Sequence, residues 1–108
     1  MAITNVKGSP TSATATNSTS AVATITGIAG STIYITDIAG SSDKAGSLLL
    51  VKQGTTVIWQ VQLATTAAGI NAFDQQFMCP LSGVSGGSVS VTVDGTSACY
   101  ANIAGYVL

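Results

Sequence analysis

Nine consecutive residues alternate without a break: Thr55, Val57, Trp59, Val61 and Leu63 on one side, Thr56, Ile58, Gln60 and Gln62 on the other. A side-chain period of two belongs to a β-strand with one face on a core and the other toward solvent. Shorter β-branched segments recur from about residue 21, separated by Gly-containing turns, and no stretch has the spacing of a useful amphipathic helix. The chain is therefore expected to be all-β, an antiparallel β-sandwich or jelly roll of six or seven strands.

Residues 1–20 are rich in Ser, Thr, Ala and Asn, with Gly8 and Pro10 breaking any early strand. They read as an extended N-terminal arm, leaving 21–108 as one β-sandwich domain. Within it, Thr32 to Ile38 sets Ile33 and Ile35 on one side and Tyr34, Thr36 and Ile38 on the other. Ser47–Val51 and Thr55–Leu63 flank Gln53-Gly54, which predicts a hairpin with Gly supplying positive φ. Ser88–Val93 and Ser97–Ile103 flank Asp94-Gly95, which predicts a second hairpin; a bulged loop there brings Val89 opposite Cys99. Between them Ala64 to Gly69 is small and unpatterned, and Pro80 confines the Phe73–Met78 segment to an edge. The expected core is Ile33, Ile35, Leu49, Val57, Trp59, Val61, Val89, Val91 and Ile103.

The chain has no His, Glu or Arg, and its charges are Lys7, Lys44 and Lys52 with Asp37, Asp43, Asp74 and Asp94. Charged residues make up 6%, against about 25% in an average domain. A Ser–His–Asp arrangement is impossible, and Asp43 and Asp94 fall in turns where Asp caps backbone. No enzyme, catalytic residue or cofactor site is expected. Two thiolates without His leave a zinc shell half empty, so no metal is expected either. Gly83-Val84-Ser85-Gly86-Gly87-Ser88 lacks the Lys of a phosphate loop and reads as a flexible connection. Three Lys cannot make a nucleic-acid footprint.

The longest aliphatic run, Leu48–Val51, is far short of the ~20 residues that cross a bilayer, so no membrane partner is expected. Met1–Lys7 leads into no apolar stretch, so no secretory signal is expected, and Asn17-Ser18-Thr19 is a chance glycosylation match. Cys79 and Cys99 read as two buried reduced thiols in preference to one bridge. With 46% hydrophobic residues and a net charge of -1, a free monomer has little protection against association. Trp59, Tyr34, Tyr100 and Tyr106, with Gln60, Gln62 and Asn102, are the candidates for a sugar site, although Trp59 shares its side with Val57 and Val61.

The Ser/Thr/Ala arm, the Gly-Ser-Ser-Asp-Lys-Ala-Gly turn at 40–46, the strand from Gly54 through Trp59 and the ending from Asp94 to Tyr106 resemble capsid decoration, or cement, proteins of tailed bacteriophages. The resemblance covers about residues 20–108. It implies a β-sandwich or jelly roll, often trimeric, that clamps major capsid subunits on the virion surface after synthesis in the bacterial cytoplasm. It assigns no residue to the capsid footprint. The alternative is a carbohydrate-binding module of a phage fibre or head that attaches to host glycan.

Overall fold

In a computed structural model, residues 9–63 and 71–108 are described, and they form eight strands. These are β1 (Ser9–Asn17), β2 (Ser20–Ile25), β3 (Ile33–Ser42), β4 (Leu48–Gln53), β5 (Thr56–Gln62), β6 (Asn71–Ser82), β7 (Val89–Asp94) and β8 (Cys99–Val107). They make two four-stranded sheets, ordered β1-β8-β3-β6 and β2-β7-β4-β5. Four antiparallel pairs, β1–β8, β2–β7, β3–β6 and β4–β5, are what a long hairpin of eight strands gives when it is wrapped into a barrel-like sandwich. That is the jelly roll.

The core lies between the sheets. Ile33, Ile35, Leu49, Val89, Val91 and Ile103 are buried as expected, joined by Ala21, Ala23, Ile25, Ile38, Val51, Val93, Cys99 and Ala101. Each buried Val, Leu or Ile contributes about 1.5–3 kcal/mol of transfer free energy. Gly40 faces this core because a Cβ there would meet Leu49 Cδ1 at 2.7 Å and Val93 Cγ2 at 2.9 Å. The β4–β5 hairpin turns on Gly54, whose φ is 60°.

Two β-bulges shift the expected faces. On β3, Ile35 pairs with Gly105 and Asp37 with Ala104, so Thr36 is an extra residue and Ile38 returns to the core side. On β5, Val51 pairs with Trp59 and Lys52 with Val57, so Ile58 is extra and Val57 is turned outward. Val57 is 42% exposed and is no core residue, whereas Trp59 and Val61 pack partly buried against the core.

The second expected hairpin does not form. β7 pairs with β2 and β4, β8 pairs with β1 and β3, and the two strands lie in opposite sheets. Their valines and Cys99, Ala101 and Ile103 still meet, face to face across the core and not side by side. The crossing from one sheet to the other is fixed by hydrogen bonds. Buried Ser42 donates to Asp94 O, Ser47 Oγ donates to Asp94 O at 2.6 Å, and Asp43 N donates to Ala98 O at 3.1 Å.

Ser9–Asn17, expected within the arm, is a strand paired along its length with β8, and the expected boundary at residue 20 falls at the start of β2. Its small side chains alternate, with Thr11, Ala13 and Ala15 partly buried between exposed neighbours. Asn17 Oδ1 accepts from Ser18 N at 2.7 Å and Thr19 N at 3.2 Å, which turns the chain from one sheet into the other. Residues 1–8 of the arm and the Ala64–Gly69 stretch lie outside the described residues.

Candidate functional site

The outward residues of the β1 sheet form rows across its strands. Pro10, Tyr106, Tyr34 and Ser82 make one row, Thr14, Asn102, Ala39 and Asp74 another, and Thr16, Tyr100, Ser41 and Ala72 a third. Tyr34 and Tyr106 stack with centroids 5.2 Å apart and planes at 19°, raising a ridge at one end. Toward the middle the side chains shrink to Ser12, Ala39 and Ala104. The result is a hollow of about 310 Å³ walled by Asp37, Asp74, Gln76 and Asn102. A second hollow of about 510 Å³ lies beside Tyr100, which is 41% exposed, and shares Asp74 and Asn102 with the first.

The structure brings together part of the sugar-site set and separates the rest. Tyr100, Asn102 and Asp74 meet on the outer face of the β1 sheet. Gln60 and Gln62 are on the outer face of the β2 sheet, where Gln62 Nε2 donates to Gly46 O at 3.3 Å. Trp59 points the other way, into a cluster with Phe77 (5.5 Å, edge-to-face at 84°) and Phe73 (6.0 Å, 31°). Packed against two rings and partly buried against the core, it is not an open platform for a sugar. Composition alone left Asp74 unassigned; its register position opposite Ala39 is what puts it beside Asn102.

Three of the four carboxylates divide between two tasks. Asp37 and Asp74 line the first hollow, and Asp37 Oδ2 accepts from Thr36 Oγ1 at 3.0 Å. Asp43 bonds across loops: its carboxylate accepts from Ser97 Oγ, from Thr96 N at 2.8 Å and from Ser97 N at 2.9 Å. The Ser97 hydroxyl first, then the Thr96 amide, hold its pKa down to about 2. It thus caps the β7–β8 loop, a partner in space and not its own turn. Among the described residues no group of three or more His, Cys, Asp or Glu could hold a metal. No described helix is long and apolar enough to cross a membrane.

The Gly83–Ser88 loop is anchored, contrary to the flexible connection expected. Gly83 N donates to Ile33 O at 2.9 Å, Val84 N to Gln53 Oε1 at 2.6 Å, and Gly86 N to Ser31 O at 2.7 Å. Ser88 Oγ accepts from Gly27 N at 2.8 Å. Those amides are spent within the protein and are not aimed at a ligand. The cysteines are both free, but only Cys99 is buried. Its thiol donates to Asn17 O at 3.3 Å, and burial pushes its pKa up. Cys79 is exposed, because four residues, Phe77 to Pro80, leave the β3–β6 ladder opposite Thr36. Pro80 lies in this interruption of an edge strand, as expected.

The outer face of the β2 sheet is more apolar. Val22 (50%), Leu48 (43%) and Val57 (42%) are exposed, with Leu50 between Val22 and Gln60 in the row Val22-Thr92-Leu50-Gln60. Lys52 and, at the end of β7, Asp94 are the charged residues among the strand residues that face outward there.

No family model matches the chain, and no curated protein matches it. Among solved structures it is similar to a chain of the virus-like particle of extra small virus of the giant freshwater prawn Macrobrachium rosenbergii, with 12% identity and a TM-score of 0.38 over 96% of this chain and 82% of that chain. A likeness at this level says nothing about what the chain binds or builds.

Proposed function

We propose that this protein is a non-enzymatic structural component of a virion, a decoration (cement) subunit that clamps neighbouring major capsid subunits on the head of a tailed bacteriophage. The observation that carries the reading is the outer face of the β2 sheet: Val22, Leu48 and Val57, each more than 40% exposed, stand there with Leu50, and the strands bring only two charges, Lys52 and Asp94, to that face. Exposed aliphatic side chains grouped on a sheet mark a surface that is covered in use. The jelly roll is a scaffold common to viral capsid and lectin domains, and the lack of His, Glu and Arg argues for assembly over catalysis.

Attachment by such a face gains roughly 25 cal/mol per Å² of apolar area before the costs of association and depends little on ion pairs. Occupancy on purified particles is therefore expected to persist from low to molar NaCl. Leu48→Lys, at an exposed position, is expected to lower it without unfolding the domain. Particles stripped of the protein should rupture at lower temperature. Release by moderate salt, or stripped particles as robust as decorated ones, refutes the cement reading.

One observation favours a second reading. Tyr100, Asn102 and Asp74 border one hollow, and an exposed ring beside an amide and a carboxylate is how a protein stacks on and hydrogen-bonds a sugar. On this reading the protein is a carbohydrate-binding module for host glycan. Tyr100→Ala would then abolish binding to host cells while leaving occupancy on the particle intact.

A further inference from the structure

The two lateral sides of the sandwich are built differently. On one side both edge strands are interrupted, β5 by its bulge at Ile58 and β6 by the departure of Phe77 to Pro80 from the ladder. Trp59, Phe73 and Phe77 fill the space between them. Bulges and prolines of this kind are how natural sheets keep an edge from pairing with another chain. On the other side β1 and β2 lie next to each other, and neither has a register shift.

β1 is the longer of these two and pairs with β8 at all nine positions, while no described strand pairs with its other edge. It has no charged residue, no bulge, and a single proline at its second position. From Thr11 to Asn17 it presents an unbroken row of backbone donors and acceptors, the template on which a further strand adds.

We propose that this edge joins two copies of the chain, β1 pairing antiparallel with β1 of the second copy about a two-fold axis at Thr14. An isologous contact places each residue against its mirror position, so it must tolerate its own chemistry. The run from Thr11 to Asn17 does. With Thr14 opposite itself, Ser12 meets Thr16, Ala13 meets Ala15, and Thr11 meets Asn17; every pair is small, uncharged and on one face of the sheet. Thr–Thr and Thr–Ser neighbours across antiparallel strands are favourable, and a charge anywhere in the run would have faced its like. Pro10 falls outside the paired segment. A two-fold along the sheet normal also carries β2, uncharged from Ser20 to Ile25, alongside its counterpart. The pairing does not depend on the capsid reading, since it concerns the free protein.

Thr14 is exposed on the outer face of the sheet, so a long polar side chain there leaves the fold intact. Sedimentation equilibrium on the purified full chain, from about 1 to 100 µM, should find a dimer. Thr14→Lys and Thr14→Asp alone, which put like charges opposite each other, should each weaken it about fivefold. Mixing the two in equal amounts should restore a heterodimer at least as tight as the parent. Circular dichroism confirms that both variants are folded. A monomer or a trimer across the range, a dimer indifferent to Thr14→Lys, or a mixture that fails to recover overturns the proposal.

Discussion

Truncating Trp59 tests how the sandwich is closed along its β5–β6 side. Trp59 sits on the edge strand of one sheet and packs on Phe73 and Phe77 of the edge strand of the other, so its ring ties two edges that share no backbone hydrogen bond. A large aromatic buries 150–250 Å² when enclosed; at about half of that, roughly 100 Å² times about 25 cal/mol per Å² gives about 2.5 kcal/mol. Ring geometry adds on the order of 1 kcal/mol. Trp59→Ala should therefore cost about 3 kcal/mol, and with a urea m-value of about 1.5 kcal/mol/M the unfolding midpoint should fall by about 2 M. The chain has one Trp, so the variant is followed by far-UV circular dichroism. The double-mutant cycle with Phe77→Ala should return a coupling of about 1 kcal/mol. A midpoint unchanged by Trp59→Ala, or a coupling of zero, would mean that the ring closes nothing.

Asp43 makes acid stability a local matter: its folded pKa of about 2 lies below the ordinary 3.8, so its contribution is full above 3.8 and is lost as the pH falls toward 2. Thermal melts between pH 5 and 2 should drop more steeply for the parent than for Asp43→Asn, and parallel curves would contradict this. Native protein should label one thiol quickly, at exposed Cys79, and release Cys99 only on unfolding; two rapid thiols, or none after denaturation without reductant, would contradict the placement of both. Gly40→Ala pushes a methyl against Leu49 and Val93 and should destabilise the fold by about 1–3 kcal/mol, whereas an unchanged melting temperature would show that the core has room there.

Period-two alternation was enough to find the sheet class and most inward residues, because burial on one face is written directly in side-chain order. It failed where a bulge inserted one residue. Ile38 and Val57 each exchanged sides for that reason, and neither Thr36 nor Ile58 carries a Gly or Pro to announce the bulge. The valines of β7 and the apolar residues of β8 were correctly assigned to one core, but parity cannot tell neighbours in a sheet from strands facing across it. The deciding contacts, Ser42 and Ser47 on Asp94 and Asp43 on Thr96 and Ser97, come from a segment some fifty positions away. β1 escaped notice because Thr, Ala and Ser bury little, so its pattern reads as linker until β8 supplies the ladder. For the candidate site, Tyr100 and Asn102 are two positions apart on one strand, a spacing that sets both on one face. Asp74 joined them through strand register, which no local signal in the sequence encodes.

A cryo-electron microscopy reconstruction of the parent particle tests the virion assignment most directly. A jelly roll of 54 × 25 × 20 Å is expected on the outside of the head, its β2 sheet against the junction of adjacent major capsid subunits and Val22, Leu48 and Val57 covered. Density for this chain on a fibre with Tyr100 turned toward solvent, or a head shell that contains no copy of it, would contradict the assignment.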